Sequence, residues 1–337
     1  MIITTALTGG GAERSMNVLA NQLVKCGWNV CLVPINSSAE DLVVLKSDVY
    51  PLGRDWRSGP LTTFRKFLKL NLKVLQWKPH VVILNCALTE TFGGFLLTKS
   101  KLEVVEHAKL PWVGRESLGR IIRYILALRK CDWVTVSSHL NVWGNSSSKT
   151  IMIKNAVLEP PSNEINLDLP TALKRIVYVG RFSNEKRAHW VLEVSKVTRI
   201  PAVMIGDGSL LPELKTMSKD FNLDATFPGY KKNPWEYILQ GDLVIIPSEW
   251  EGDGLVVVEA IQRNLPLVLA DTPEFRAFGL PNHNYASDCD SFSRSVLDFQ
   301  DNLLPLVIPK DTRANLLNER SPETIGYIWS NYLESLI

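Results

Sequence analysis

Two glutamates separated by seven residues, Glu251 and Glu259, stand in the run PSEWEGDGLVVVEA at residues 247–260. An apolar strand is expected to end at Pro247, a loop to carry Glu251, and the glycines at 252 and 254 to open a helix. Amides of Gly254, Leu255 and Val256 at that helix N-terminus are suited to phosphate. Glu259, one to two turns on, can accept both hydroxyls of a ribose, and Glu251 can reach a sugar. The apolar residues 255–258 imply a largely buried helix, and a buried carboxylate needs a partner. The competing reading is a solvated helix glutamate. Upstream, VGRFSNEK at 179–186 delivers Gly180, Arg181 and Lys186 into a loop before another helix. Arginine as a fork and lysine as a point charge suit a diphosphate, although surface cations beside a helix give the same pattern.

Two further runs carry weaker signals. Gly9, Gly10 and Gly11 precede Ala12, Glu13 and Arg14 at a strand-to-helix turn, where glycine lets backbone approach a ligand. Arg14 stands where the last glycine of G-x-G-x-x-G would be, and no acidic residue ends the next strand at Ile35, so a dinucleotide site is poorly supported and a tight turn fits as well. Glu106 and His107 end the third apolar strand of the first half, where a structural and a functional histidine are equally consistent. Asp288-Cys289-Asp290 imitates a metal site but precedes a helix and reads better as a cap. His80, His139, His189 and His283 show no metal-ligand spacing.

Short β-branched runs alternating with amphipathic stretches must position these groups. Strands are expected at 2–7, 30–35, 81–85, 104–106, 133–136 and 151–154, with helices at 12–25, 62–76, 91–98 and 118–129. Residues 158–173, LEPPSNEINLDLPTAL, break the rhythm and read as a linker. It restarts with strands at 175–180, 202–205, 242–247 and 265–270 and helices at 188–197, 211–221 and 254–263. Ser321 and Pro322 then start a last helix. This β-α-β order implies parallel sheets with helices on both faces, hence two Rossmann-like domains facing a cleft.

Length (337 residues), 45% apolar and 21% charged residues fit two globular domains and exclude a disordered or collagen-like chain. Five cysteines without a C-x-x-C pair fit reduced thiols, and the N-terminus lacks a signal-like charge and apolar run, so a cytoplasmic protein is expected. The net charge of +2 combines a basic first half with an acidic second half; residues 54–130 alone hold 15 basic and 5 acidic side chains. Basic amphipathic stretches there suit an anionic membrane surface, with a solvated face packed on the sheet as the alternative. No nucleic-acid-reading module is present.

Taken with GGGAER, EH, CDWVTVSS (131–138), IKNAV (153–157), VGRFSNEK, IGDG (205–208), FPGYKKNPWEYI (227–238) and DLVIIPSEWEG (242–252), the chain resembles the family-4 retaining glycosyltransferases of GT-B fold, more loosely their bacterial surface-glycan or lipid-linked-glycan branch. That resemblance implies an N-terminal acceptor domain (1–157), a linker (158–173), a nucleotide-sugar domain (174–320) and a terminal helix (321–337) crossing back onto the first domain. It implies that Arg181 and Lys186 grip the donor diphosphate and Glu259 the ribose. Glu251 would contact the transferred sugar, with amides of Gly254 and Leu255 on phosphate or sugar. Gly229 and Tyr230 would border the base, His107 would contact sugar or acceptor, and Gly10 and Gly11 would line the acceptor side. Asp253, where the family often has an aromatic residue, Arg187 in place of a common glycine, and the segment 270–279 depart from the pattern. The implied activity is metal-independent hexosyl transfer with retention, from a nucleotide-sugar of UDP type to a glycan or lipid-linked glycan. No cofactor beyond the donor is implied, and peripheral contact with the inner face of the cell membrane is expected. A nucleotide-sugar epimerase and a non-catalytic binding protein are the alternatives.

Overall fold

Apolar runs become short parallel strands in two separate sheets. The computed structural model describes residues 1–7, 10–36, 48–109, 111–140, 149–157, 160, 173–301 and 305–337. Its two compact units are Met1–Leu158 with Glu319–Ile337, and Glu159–Asn318. Apart from residues 160 and 173, the linker expected at 158–173 lies outside the described residues, as does Gly9.

The first unit holds β1 (Ile2–Thr4), β2 (Cys31–Pro34), β3 (Asp48–Val49), β4 (Val81–Asn85), β5 (Lys101–Glu106), β6 (Asp132–Thr135) and β7 (Thr150–Met152), ordered β3-β2-β1-β4-β5-β6-β7 with every pairing parallel. Its helices are α1 (Gly11–Lys25), α2 (Pro60–Trp77), α3 (Ala87–Gly94), α4 (Glu116–Leu128) and the C-terminal helix Pro322–Glu334. One face of the sheet packs on α1 and the C-terminal helix, through Met16, Leu19, Leu23, Ile325 and Trp329. Its other face packs on α2, α3 and α4, through Leu70, Val74, Phe92, Ile122 and Leu126. Burial on both faces explains why the strands are continuous apolar runs without alternation. Ser321 caps the C-terminal helix, its hydroxyl accepting from the Thr324 amide.

The helix expected at 91–98 lies four residues earlier. It ends at Gly93-Gly94, where close packing sets the limit: a Cβ on Gly93 would stand 2.2 Å from Leu84 Cδ1. The apolar residues Phe95 to Leu97 that suggested a later helix end belong to the loop that follows.

The second unit holds β8 (Arg175–Val179), β9 (Ala202–Ile205), β10 (Ala225–Gly229), β11 (Asp242–Ile246), β12 (Leu267–Ala270) and β13 (Tyr285–Ala286), ordered β10-β9-β8-β11-β12-β13, again all parallel. Between and after them run α5 (His189–Thr198), α6 (Leu211–Asp220), α7 (Leu255–Gln262), α8 (Pro273–Arg276), α9 (Cys289–Gln300) and α10 (Lys310–Glu319). Asp288 forms a capping box with Ser291 at the start of α9, so the D-C-D run is a helix start. The strand order reverses between β1 and β4 in one unit and between β8 and β11 in the other, which is the Rossmann arrangement.

Candidate functional site

In sheets of this order a crevice opens beyond the carboxyl ends of the two strands where the order reverses. In the second unit these are β8 and β11, and the chain leaving them carries the residues picked out above. Gly180, Arg181 and Lys186 follow β8; Glu251, Gly254, Leu255, Val256 and Glu259 follow β11. Lys186 Nζ forms an ion pair with Glu251 Oε1 at 2.7 Å. The Glu251 carboxylate also accepts from Ser248 Oγ at 3.0 Å. The two loops are tied through their backbones, with the Glu249 amide donating to the Glu185 carbonyl at 2.8 Å. Arg187 adds a longer ion pair to Glu249 at 3.3 Å. Arg181 is exposed, and its carbonyl accepts from the buried Tyr178 hydroxyl at 2.8 Å.

Gly254 is the N-cap of α7 with φ of 63°, a left-handed conformation that glycine adopts without strain. The first turn leaves the Leu255 and Val256 amides without an intrahelical acceptor, and both residues are only partly buried. Glu259 is half-buried on the same helix. Its Oε2 accepts a 3.0 Å hydrogen bond from Trp235 Nε1. Arg263 stacks over that indole at 4.8 Å and donates to the Glu259 carbonyl at 3.0 Å. The glutamate is therefore a held carboxylate and not a solvated one.

Glycine packing sets the shape of the β8 loop. A Cβ on Gly206 would lie 1.8 Å from the Gly180 carbonyl oxygen, and one on Gly208 would lie 2.3 Å from that of Phe182. The IGDG run thus lets the chain leaving β9 press against the loop that presents Arg181. Gly229 ends β10 with φ of 81°, and Tyr230 beyond it is exposed. These two residues border the β9 side of the same strand ends, with the Gly206 amide donating to the Gly229 carbonyl.

The remaining candidates belong to the first unit. Gly10 is the N-cap of α1 and Gly11 its first residue. His107 follows β5. Its Nε2 is out of water with no hydrogen-bond partner, and burial pushes the imidazole down to about 4, so it is neutral at pH 7. Beside it lies a buried charge network. Arg123 Nη2 stands 2.7 Å from both Glu90 Oε1 and Glu106 Oε2, and Trp112 Nε1 donates to Glu90 Oε2. Burial pushes the Glu106 carboxyl up to about 7 against the opposing pull of Arg123.

Trp235, Ser248, Arg123 and Glu90 were not picked out from sequence. Each acts by holding another residue, and a signal existed only for Trp235: Asn233-Pro234 begins a tight turn ahead of it, with the Asn233 side chain accepting from the Trp235 amide.

Residues 162–283 match the family model described as glycosyl transferases group 1. A poly(ribitol-phosphate) alpha-N-acetylglucosaminyltransferase of Staphylococcus aureus is 26% identical over 178 residues, 48% of this chain and 36% of that protein. A UDP-Gal:alpha-D-GlcNAc-diphosphoundecaprenol alpha-1,3-galactosyltransferase of Escherichia coli is 25% identical over 142 residues, 39% of this chain and 36% of that protein. The chain thus spans about a third of the length of these two curated relatives. Among solved structures, Anabaena HepE in complex with UDP and glucose superposes with a TM-score of 0.80 at 15% identity, covering 99% of this chain and 98% of that one.

Proposed function

We propose that this chain, whose residues 162–283 match the glycosyl transferases group 1 model and which shares the GT-B fold, is a retaining hexosyltransferase moving a sugar from a UDP-sugar to a glycan or lipid-linked glycan acceptor. The observation that carries this reading is the gathering, at the β8/β11 reversal, of Arg181, Lys186, Glu251, the α7 N-terminus and the held Glu259. The relatives' names support the donor class: one acts from UDP-galactose on a diphosphoundecaprenol-linked sugar, and HepE is solved with UDP and glucose.

In this reading Glu259 accepts the ribose hydroxyls, and Gly229 and Tyr230 border the base. The diphosphate lies against Arg181, Lys186 and the Leu255 and Val256 amides. Transfer breaks the bond between the sugar's anomeric carbon and the diphosphate oxygen. Negative charge then grows on the leaving nucleoside diphosphate, and preorganised cations and amides stabilise it there. The acceptor oxygen bonds to the anomeric carbon on the same face, and its proton passes to the departing phosphate oxygen. Glu251, which shares Lys186 with the diphosphate, contacts the sugar hydroxyls. Neutral His107 offers a hydrogen bond to sugar or acceptor without adding a charge, and Gly10 and Gly11 line the acceptor side.

Incubation with a panel of nucleotide sugars and lipid-linked acceptors tests the proposal. Transfer or slow donor hydrolysis from a UDP-sugar, with the anomeric configuration kept, is expected. Isomerised donor, inverted product, or thermal stabilisation by nucleotide without turnover would sink it.

A further inference from the structure

Helix α2 carries two apolar stripes where a surface helix needs one. The stripe formed by Phe67, Leu70 and Val74 faces the core. The other, Leu61, Phe64, Leu68, Leu72 and Leu75, recurs at three- and four-residue steps and is 46–65% exposed at every position. Helix α4 repeats the arrangement. Ile122 and Leu126 are buried, while Leu118, Ile121, Tyr124 and Leu128 are 44–67% exposed.

The two outward stripes lie on the same side of the first unit, because α2 and α4 pack on the same face of its sheet. The end of α3 and the segment after it join them. Asn71 Oδ1 on α2 accepts from the Leu97 amide at 2.7 Å, and Arg129, at the end of α4, donates to the Gly93 and Gly94 carbonyls at 2.9 and 3.1 Å. Phe95 and Leu97 in that segment are both exposed. An apolar face of this extent marks an interaction surface.

Charge decides what it meets. Among the 15 basic and 5 acidic residues of 54–130, Glu90, Glu103 and Glu106 are buried, as is Arg123. Fourteen cations and two carboxylates therefore reach the surface. A second copy of this face would bring cation against cation. An anionic bilayer satisfies both features, taking the apolar side chains below its headgroups and pairing the basic ones with lipid phosphates. Among the described residues no helix is long and apolar enough to cross a membrane.

We propose that the outward face of α2 and α4 docks on an anionic lipid bilayer. Co-sedimentation of the full chain with vesicles of phosphatidylcholine alone, or of phosphatidylcholine with phosphatidylglycerol, tests this without requiring sugar transfer. Binding to the anionic vesicles is expected at low salt, with release at high salt and at least tenfold weaker binding to the neutral ones. The variant L61Q/L68Q/L72Q changes exposed positions only and should bind anionic vesicles at least tenfold more weakly while melting at the wild-type temperature. R65Q/K66Q should weaken binding by roughly fivefold per cation removed. Three results would overturn the proposal: no binding to anionic vesicles at low salt, unchanged binding by both variants, or a concentration-dependent dimer abolished by L61Q/L68Q/L72Q, which would assign the face to a second copy of the chain.

Discussion

The indole nitrogen of Trp235 donates to Oε2 of Glu259 at 3.0 Å, across 24 residues of sequence. Trp235 is buried, and its own amide is held by Asn233, so the donor is fixed before any ligand arrives. A carboxylate that must accept two ribose hydroxyls loses less freedom on binding when one oxygen is already oriented. Trp235→Phe keeps the aromatic packing and removes the donor. UDP affinity measured by calorimetry should fall by about tenfold, a loss of ~1.4 kcal/mol, close to the lower end of the range for a hydrogen bond to a charged group. The effect should vanish in a Glu259→Ala background, because the two residues act as one unit. Equal losses in both backgrounds would show that Trp235 acts elsewhere.

Lys186 and Glu251 form a pair in which each side chain is 20% exposed. Exposed or part-exposed pairs contribute about 1 kcal/mol or less to stability, so the pair has little structural weight. Lys186→Met should leave the melting temperature nearly unchanged and lower kcat/KM by about 10²–10³, the typical loss on removing one preorganised electrostatic group. Lys186→Arg should recover only part of this, because a planar fork does not replace a compact ammonium. A variant of wild-type activity would remove Lys186 from the site.

The β-α-β rhythm was legible because both sheets are parallel and their central strands are buried, so most of those strands read as apolar runs. Runs at 81–85 and 202–205 match strands β4 and β9 at both ends. The two-residue strands β3 and β13 were not legible: the sheet neighbour defines them, not the local pattern. Glu103 lies inside β5 although the strand was expected to start at Val104; Tyr332, from the C-terminal helix, supplies its hydrogen bond at 2.6 Å. At the candidate site, the residues that would touch a ligand stood out by type and spacing. Those that hold them, Trp235 for Glu259 and Arg123 for Glu106, did not, because their partners are 24 and 17 residues away in sequence.

Gly206 shows how little room the β8 loop has. The Cβ of an alanine there would fall 1.8 Å from the Gly180 carbonyl oxygen, a backbone atom that cannot turn aside. Gly206→Ala should destabilise the second unit by about 2–4 kcal/mol, read as a lower urea midpoint at unchanged slope. Gly229→Ala is the control. Its Cβ would meet nothing within 4 Å, and only the positive φ opposes it, so a loss of about 1 kcal/mol is expected. Similar losses at the two positions would show that conformation, not contact, decides both.

Arg123 is fully buried between Glu90 and Glu106 and over the Trp133 ring at 4.5 Å. Arg123→Met would leave two carboxyls facing apolar surroundings, at a cost of about 3–5 kcal/mol near neutral pH. The loss should shrink in acid. The Glu106 carboxyl, pushed up to about 7 already with the arginine present, protonates readily once it is gone. Urea midpoints of wild type and variant at pH 8 and pH 5 should therefore differ more at the higher pH. A pH-independent gap would mean that packing against Trp133, not charge, is what Arg123 supplies.

His107 sets an acid limb of opposite sign. Its pKa falls from about 6.5 to about 4 on folding because the ring is desolvated. Between those two values the unfolded chain binds a proton that the folded chain refuses, so stability is lost as pH drops through that window. At pH 5 the difference amounts to about 2 kcal/mol, taking 1.36 kcal/mol for each pH unit of separation. His107→Gln removes the titration and keeps a polar side chain of similar size. Relative to wild type, its urea midpoint should rise on going from pH 7.5 to pH 5. Glu103 and Glu106, both pushed up to about 7 by burial, titrate alike in the two proteins and cancel in the comparison. Parallel pH profiles for H107Q and wild type would show that the imidazole charges as easily folded as unfolded. That outcome would also remove the case for a neutral hydrogen-bonding histidine in sugar transfer.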